Sequence, residues 1–131
     1  MSNEGAVVRS YRDLVAWQES MRLVELVYAL LSTLPVDERY GLASQLKRCS
    51  VSIPSNIAEG HARESTREFA RFISIARGSL AEVETQLELI SRLGMSSAIA
   101  LEPAVACCDE VGRILRGLRK SLDNKLAALP R

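Results

Sequence analysis

The sequence predicts an all-α four-helix bundle. Apolar residues recur at helical spacing in four separate stretches, and the breaks between them hold proline, glycine or a capping pattern. Aromatics make up only 5% of a chain that is 47% hydrophobic, which leaves leucine, alanine, valine and isoleucine to fill the interior, as they do between packed helices. At 131 residues, 25% of them charged, the chain reads as one domain, 1–131, around one core, with residues 1–10 as a flexible N-terminal arm.

The first helix is expected from Asp13 to Leu34, where Leu14, Trp17, Met21, Val24, Tyr28, Leu31 and Leu34 step by threes and fours. Pro35 stops it, and Val36-Asp37-Glu38 forms a turn in which Asp37 or Glu38 favours the next helix N-terminus. So tight a connection makes the second helix antiparallel to the first. Its stripe is Leu42, Leu46, Cys49, Ile53 and Ile57. Pro54 removes the amide that would bond to Ser50. Because the apolar spacing stays in phase to Ile57, the expectation is a kink rather than an end, with Gly60 as the stop and His61 in the loop beyond.

Ser65-Thr66-Arg67-Glu68 matches a capping box, the serine hydroxyl accepting from the backbone three residues on while Glu68 reaches back. The third helix starts there and carries Phe69, Phe72, Ile73, Ala76, Leu80, Val83, Leu87, Ile90 and Leu93, with Gly94 as a left-handed cap. At about 29 residues it would span roughly 43 Å. Met95 to Glu102 reads as a loop, with Ser96 to Ala100 able to form a turn of its own, and Pro103 opens the fourth helix. Val105, Cys108, Val111, Leu115, Leu118, Leu122, Leu126 and Leu129 form its stripe.

A net charge of +1 gives no global field to draw a monomer onto nucleic acid or an anionic membrane, so any basic site must be local. Cys49, Cys107 and Cys108 are odd in number and two are adjacent, which suits small hydrophobes in a reducing compartment. Cys107 and Cys108 point about 100° apart on a helix, so at most one is expected to face the core. No apolar run is long enough to span a bilayer and Met1 to Gly5 lacks the features of a signal peptide, so the expected location is cytoplasmic, with no membrane partner.

Catalytic groups are scarce. His61 is the only histidine, which leaves no Glu-x-x-His pairs for a di-metal bundle and one candidate base for a serine triad. Cys49 lies on the apolar stripe and reads as core. No metal, cofactor or catalytic residue is expected.

Two polar patterns remain. Gln45, Arg48, Ser52, Asn56 and Glu59 step along the second helix, answered on the third by Ser79, Glu82 and Gln86. One reading is a hydrogen-bonded network that fixes helix register, since each group is costly to bury alone; the other is a polar pocket. Gly78 and Ser79 favour the network, because small side chains admit a neighbouring helix. The second pattern is basic: Arg63, Arg67 and Arg71 at four-residue spacing, joined loosely by Arg77, and Arg113, Arg116 and Lys120 on one face of the last helix with Arg119 beside them. Such stripes suit a phosphate backbone, while Glu64 and Glu68 among the first group also suit ordinary surface ion pairs.

With these residues in place, the chain resembles the four-helix-bundle family first recognised as proteins encoded by intervening sequences within bacterial 23S ribosomal RNA genes. The resemblance runs from Tyr11 to about Gly94. It is carried by Asp13-Leu14-Val15-Ala16-Trp17, Pro35 with Glu38 to Leu42, Ser44-Gln45-Leu46-Lys47-Arg48, Ser52-Ile53-Pro54-Ser55-Asn56-Ile57-Ala58-Glu59-Gly60, Glu68-Phe69-Ala70-Arg71-Phe72 and Ala76-Arg77-Gly78-Ser79-Leu80-Ala81-Glu82. It implies an up-down-up-down left-handed bundle assembled into a ring-like homopentamer, with no enzymatic activity. The chain is also similar to the accessory protein of diversity-generating retroelements, a pentameric bundle that works with a reverse transcriptase and nucleic acid through a basic surface, which implies an RNA-related role. The expected function is therefore a nucleic-acid-binding accessory assembly, with a protein-interaction scaffold as the alternative and an enzyme using Glu59 or Glu82 a distant third. Val15, Leu23, Val51 and Leu89 lie off the main stripes and are expected to form apolar surface that subunits cover mutually.

Overall fold

The structure is a computed structural model that describes residues 7–38 and 41–130, with only the backbone of Glu38. Among the described residues it is built from α1 (Val15–Leu31), α2 (Leu42–Ala62), α3 (Thr66–Arg92) and α4 (Ala98–Ala127), without a strand; Tyr11–Asp13 and Val36–Glu38 form 3-10 turns. Each helix packs on the one before it, and α4 closes the bundle on α1. Side-chain contacts fix the antiparallel order: Lys47 near the start of α2 lies over the ring of Tyr28 near the end of α1 at 5.2 Å, Ser52 meets Ser79 midway along α2 and α3, and Arg119 late in α4 reaches the Ala70 carbonyl early in α3. The bundle is thus up-down-up-down. Of the expected N-terminal arm, residues 1–6 lie outside the described residues. Val7 to Arg9 have no regular structure, and Ser10 with Asp13 forms a capping box on the first 3-10 turn.

Helix α1 turns a different face inward from the one its large residues suggest. Its buried residues are Ala16, Ser20, Leu23, Val27 and Leu30, one position out of phase with the expected stripe, of which Leu14, Trp17, Leu31 and Leu34 are partly buried against the core while Met21 and Tyr28 are exposed. Both sets step at helical spacing, so periodicity alone does not separate them. Packing does: Ala16 and Ser20 are small enough for close approach, and the buried Ser20 hydroxyl is satisfied by donating to the Ala16 carbonyl at 2.6 Å. Leu23, expected at the surface, is fully buried. Full burial of such a side chain contributes about 1.5–3 kcal/mol, which favours this register.

Helix α2 runs through Pro54 without ending and continues past Gly60 to Ala62. Gly60 is not the stop. It is buried within the helix, and a Cβ placed on it would stand 2.5 Å from the Cβ of Phe72, so its bare backbone lets α3 close in. The chain reverses instead at Glu64, whose φ of 57° is left-handed. His61 is accordingly not in the loop but in the last turn of α2, its ring edge-on to Phe69 at 5.5 Å. Asp37 and Glu38 stand in a separate 3-10 turn, outside the first turn of α2, whose N-cap is Gly41 with no side-chain bond.

Ser65 caps α3 by accepting from the Glu68 amide at 3.3 Å, while the Glu68 carboxylate turns outward to Arg71 at 2.8 Å rather than back toward the cap. Gly94 adopts the expected left-handed conformation, φ 68°. Helix α4 starts earlier than Pro103: Ser97 accepts from the Ala100 amide at 3.1 Å, and the helix begins at Ala98. The cap overrides the proline, whose missing amide leaves the Ile99 carbonyl on an exposed turn. Cys107 and Cys108 are both buried, against the expectation of one. Cys107 approaches the Glu19 carbonyl on α1 at 3.7 Å while Cys108 lies toward α3, so a helix wedged between two neighbours covers two adjacent positions.

Candidate nucleic-acid interface

Antiparallel packing puts the start of α3 beside the end of α4. Arg119 makes the junction: its guanidinium donates to the Ala70 carbonyl at 2.9 Å and to the Ser74 hydroxyl, and its Nε reaches Asp123 at 2.9 Å. This tether brings the two basic stripes, distant in sequence, to the same end of the bundle. Between α3 and α4 runs a groove of about 350 Å³ lined by Arg77 and Glu84 of α3 and Arg116 of α4, with Gly78, Ala81 and Gly112 keeping it open.

The basic residues fall into two kinds. Arg63 is paired with Glu59 at 3.1 Å, Arg71 with Glu68 at 2.8 Å and Arg113 with Glu110 at 2.5 Å, each an exposed pair within one turn. Arg63 and Arg71 also lie over the ring of Phe72, at 5.2 and 4.6 Å. Arg71 in turn holds the Glu68 carboxyl below its ordinary pKa. By contrast, Arg67, Arg77, Arg116 and Lys120 are exposed and form no ion pair among the described residues, so their charge is available to an anion. Neighbouring carboxylates attenuate half of the six residues expected to bind nucleic acid, and Arg77 joins the free group.

Hydrogen bonds line the α2–α3 contact in two clusters. Ser52 and Ser79 share a bond of 2.8 Å, and Asn56 donates to the Ser52 carbonyl and hydroxyl at 2.8 and 2.9 Å. One turn away the Cys49 thiol donates to Glu82 at 3.0 Å and receives a contact from the Gln86 amide at 3.6 Å. Cys49 is therefore a half-buried polar member of this seam rather than plain core, and its thiol pKa is raised, chiefly by burial and also by Glu82. Asn56 and Glu82 belong to different clusters and do not meet. Glu59 pairs with Arg63, Arg48 is exposed, and Gln45 lies beside Glu82 and Gln86 in a shallow surface depression. Gly78 has open space where a Cβ would be, so only Ser79 of that pair serves the helix contact. The spacing of the polar line was visible in sequence. The entry of Cys49 was not, because a thiol on an apolar stripe carries no sign of its partner.

No group of three or more His, Cys, Asp or Glu among the described residues is arranged to hold a metal ion, and no helix among them is long and apolar enough to cross a membrane.

The sequence profile of the 23S rRNA-intervening sequence protein family matches residues 12–117. A protein with unknown function from the S23 ribosomal protein family of Bacteroides thetaiotaomicron VPI-5482, known from its crystal structure, superposes with a TM-score of 0.74 at 23% identity, covering 81% of this chain and 96% of that one. At that identity the likeness is one of fold. No curated protein matches the chain in sequence.

Proposed function

The chain belongs to the 23S rRNA-intervening sequence protein family, and from that premise we propose that it is a non-catalytic, homo-oligomeric accessory protein that binds RNA through the basic end of the bundle. The observation that carries the reading is the set of exposed cations without an ion pair among the described residues on the paired helices α3 and α4: Arg77 and Arg116 line one groove, and Arg67 and Lys120 stand on the same two helices outside it. Phosphate contacts of this kind are worth most where no carboxylate already neutralises the cation, and they carry little sequence preference. A chain of net charge +1 attracts a polyanion weakly as a monomer. Repetition around an oligomer axis, a pentamer by resemblance, multiplies the local patch without changing charge per chain. Val51 on α2 and Ile75 and Leu89 on α3, exposed by 41, 40 and 41%, support a subunit contact.

Gel-shift titration of wild type against structured RNA, single-stranded RNA and duplex DNA at two salt concentrations tests the reading. The expected result is binding that falls steeply as salt rises, by counterion release. Reversing Arg67 and Arg77 to Glu should weaken binding on every sequence and flatten the salt dependence, while light scattering shows an unchanged oligomer. No binding to any of the three at low salt favours a protein scaffold, whose apolar contacts respond little to salt. A strictly monomeric mass at micromolar concentration rejects the assembly.

A further inference from the structure

The groove between α3 and α4 has a second half of opposite charge. The groove lined by Arg77 and Arg116 also takes in Leu80, Gly112 and Glu84, and Glu84 in turn lines a larger cleft of about 450 Å³ toward the start of α4. Its floor is apolar: Leu87, Leu101 and Cys108 are buried beneath it and Val105, 45% exposed, stands in its wall. Its rim is acidic, formed by Glu84 and Glu88 of α3 and Glu102 and Asp109 of α4. Only Glu88 of these has a cation partner among the described residues, Arg92 at 3.9 Å, and both side chains are largely exposed. Burial first, then the charges of Glu84, Cys107 and Asp109, push the Cys108 thiol up to about 12.

The geometry points to a docking site for a basic amphipathic helix of a partner protein, an apolar side chain entering between Leu101 and Val105 while flanking lysines or arginines meet Glu84, Glu102 and Asp109. Charge selects the occupant. The carboxylates repel a phosphate backbone, so this half of the groove does not continue the nucleic-acid surface. They are exposed and unpaired, the arrangement that steers and orients a cationic partner, while the apolar floor supplies the burial that charge alone does not. The cleft is open along the helix pair, which suits a laid-in helix better than a small molecule, whose sites enclose it. Basic and acidic halves on one helix pair make the bundle a bridge between RNA and a basic protein segment.

A fluorescein-labelled peptide of about 18 residues, five helical turns, with leucines at helical spacing flanked by lysines, is titrated with the full chain and followed by anisotropy. Saturable binding is expected, weakened about tenfold by Glu102→Lys with Asp109→Lys and, separately, by Val105→Arg, and absent for the same peptide with glutamate in place of lysine. Circular dichroism confirms that each variant is folded, and the exposed position of Val105 makes that substitution tolerable even if the double reversal is not. Arg67→Glu with Arg77→Glu, which weakens RNA binding on the reading above, should not weaken peptide binding, so the two ideas fail separately. No saturable binding, equal binding of the two peptides, or equal affinity in wild type and both cleft variants overturns the proposal. A fall in light-scattering mass on Val105→Arg also overturns it, because a second copy would then be the occupant.

Discussion

Against α2, helix α3 closes until a Cβ on Gly60 would stand 2.5 Å from that of Phe72, and serines from the two helices bond at 2.8 Å; against α4 it leaves clefts of about 350 and 450 Å³, tied across by Arg119. The same helix makes both contacts, so the difference lies in what its neighbours present. Helix α2 offers Gly60, Ser52 and Cys49, small groups that permit close approach and then hydrogen-bond at short range. Helix α4 offers Gly112 at the groove, with the long charged side chain of Arg116 beside it. Stability is therefore concentrated on one side of α3, and binding surface on the other.

The sharpest way to break this comparison is to add one methyl group to each side. Gly60→Ala should destabilise by about 2 kcal/mol, overpacking against Phe72 outweighing the roughly 1 kcal/mol that alanine gains in helix propensity. Gly78→Ala, on the exposed face of α3 with nothing within 4 Å of the new Cβ, should stabilise by about 0.5–1 kcal/mol. Thermal melts measure both. Shifts of the same sign would mean that the α2–α3 contact is not closed at Gly60.

The looser side depends on its tether. Arg119→Ala removes bonds to the Ala70 carbonyl, Ser74 and Asp123, and should cost about 1–2 kcal/mol in urea unfolding, because hydrogen bonds from a charged donor are worth more than neutral ones. Arg116→Ala, equally basic but without a partner, should stay within about 0.5 kcal/mol. If the two variants unfold alike, the α3–α4 contact rests on its apolar residues and Arg119 is only another surface cation.

Much of this architecture was legible in the sequence, and its failures have physical causes. The middles of the α3 and α4 stripes survive because their core positions hold large apolar residues, Ile73, Val83, Leu87, Val111 and Leu115 all being buried, whereas Leu93, Val105 and Leu129 at the stripe ends are exposed and Leu129 lies beyond α4. The stripe of α1 was misread because its core face spends two positions on Ala16 and Ser20, which register weakly beside Trp17 and Met21. Gly60 was misread because a glycine near a helix end looks the same whether it supplies a left-handed cap or a close contact. The basic stripes were visible as spacings, but the groove that unites Arg77 with Arg116 depends on packing between residues far apart in the chain. The acidic cleft was missed for the same reason, though Glu84 and Glu88, four apart on α3, and Glu102 and Asp109, seven apart on α4, each lie on one side of a helix.

The smallest expected effect probes whether the tighter side is also the better satisfied one. In the seam, the Gln86 side chain is 8% exposed, its Nε2 makes only a 3.6 Å contact with the Cys49 sulfur, and its Oε1 is buried without a hydrogen-bond partner. An unpaired carbonyl costs its full desolvation, whereas a leucine of similar volume would cost none and lose only a weak sulfur contact. Gln86→Leu should therefore be neutral or stabilising by about 0.5 kcal/mol. Asn56→Ala, which removes two well-formed bonds to Ser52 in the neighbouring cluster, should cost about 1 kcal/mol. Opposite signs in the two variants would locate the value of the seam in its Ser52–Ser79–Asn56 cluster and leave Gln86 as a polar group carried at a loss. A cost of more than about 1 kcal/mol for Gln86→Leu would mean that Oε1 finds a partner in solution, and that water enters the side of α3 where the helices lie closest.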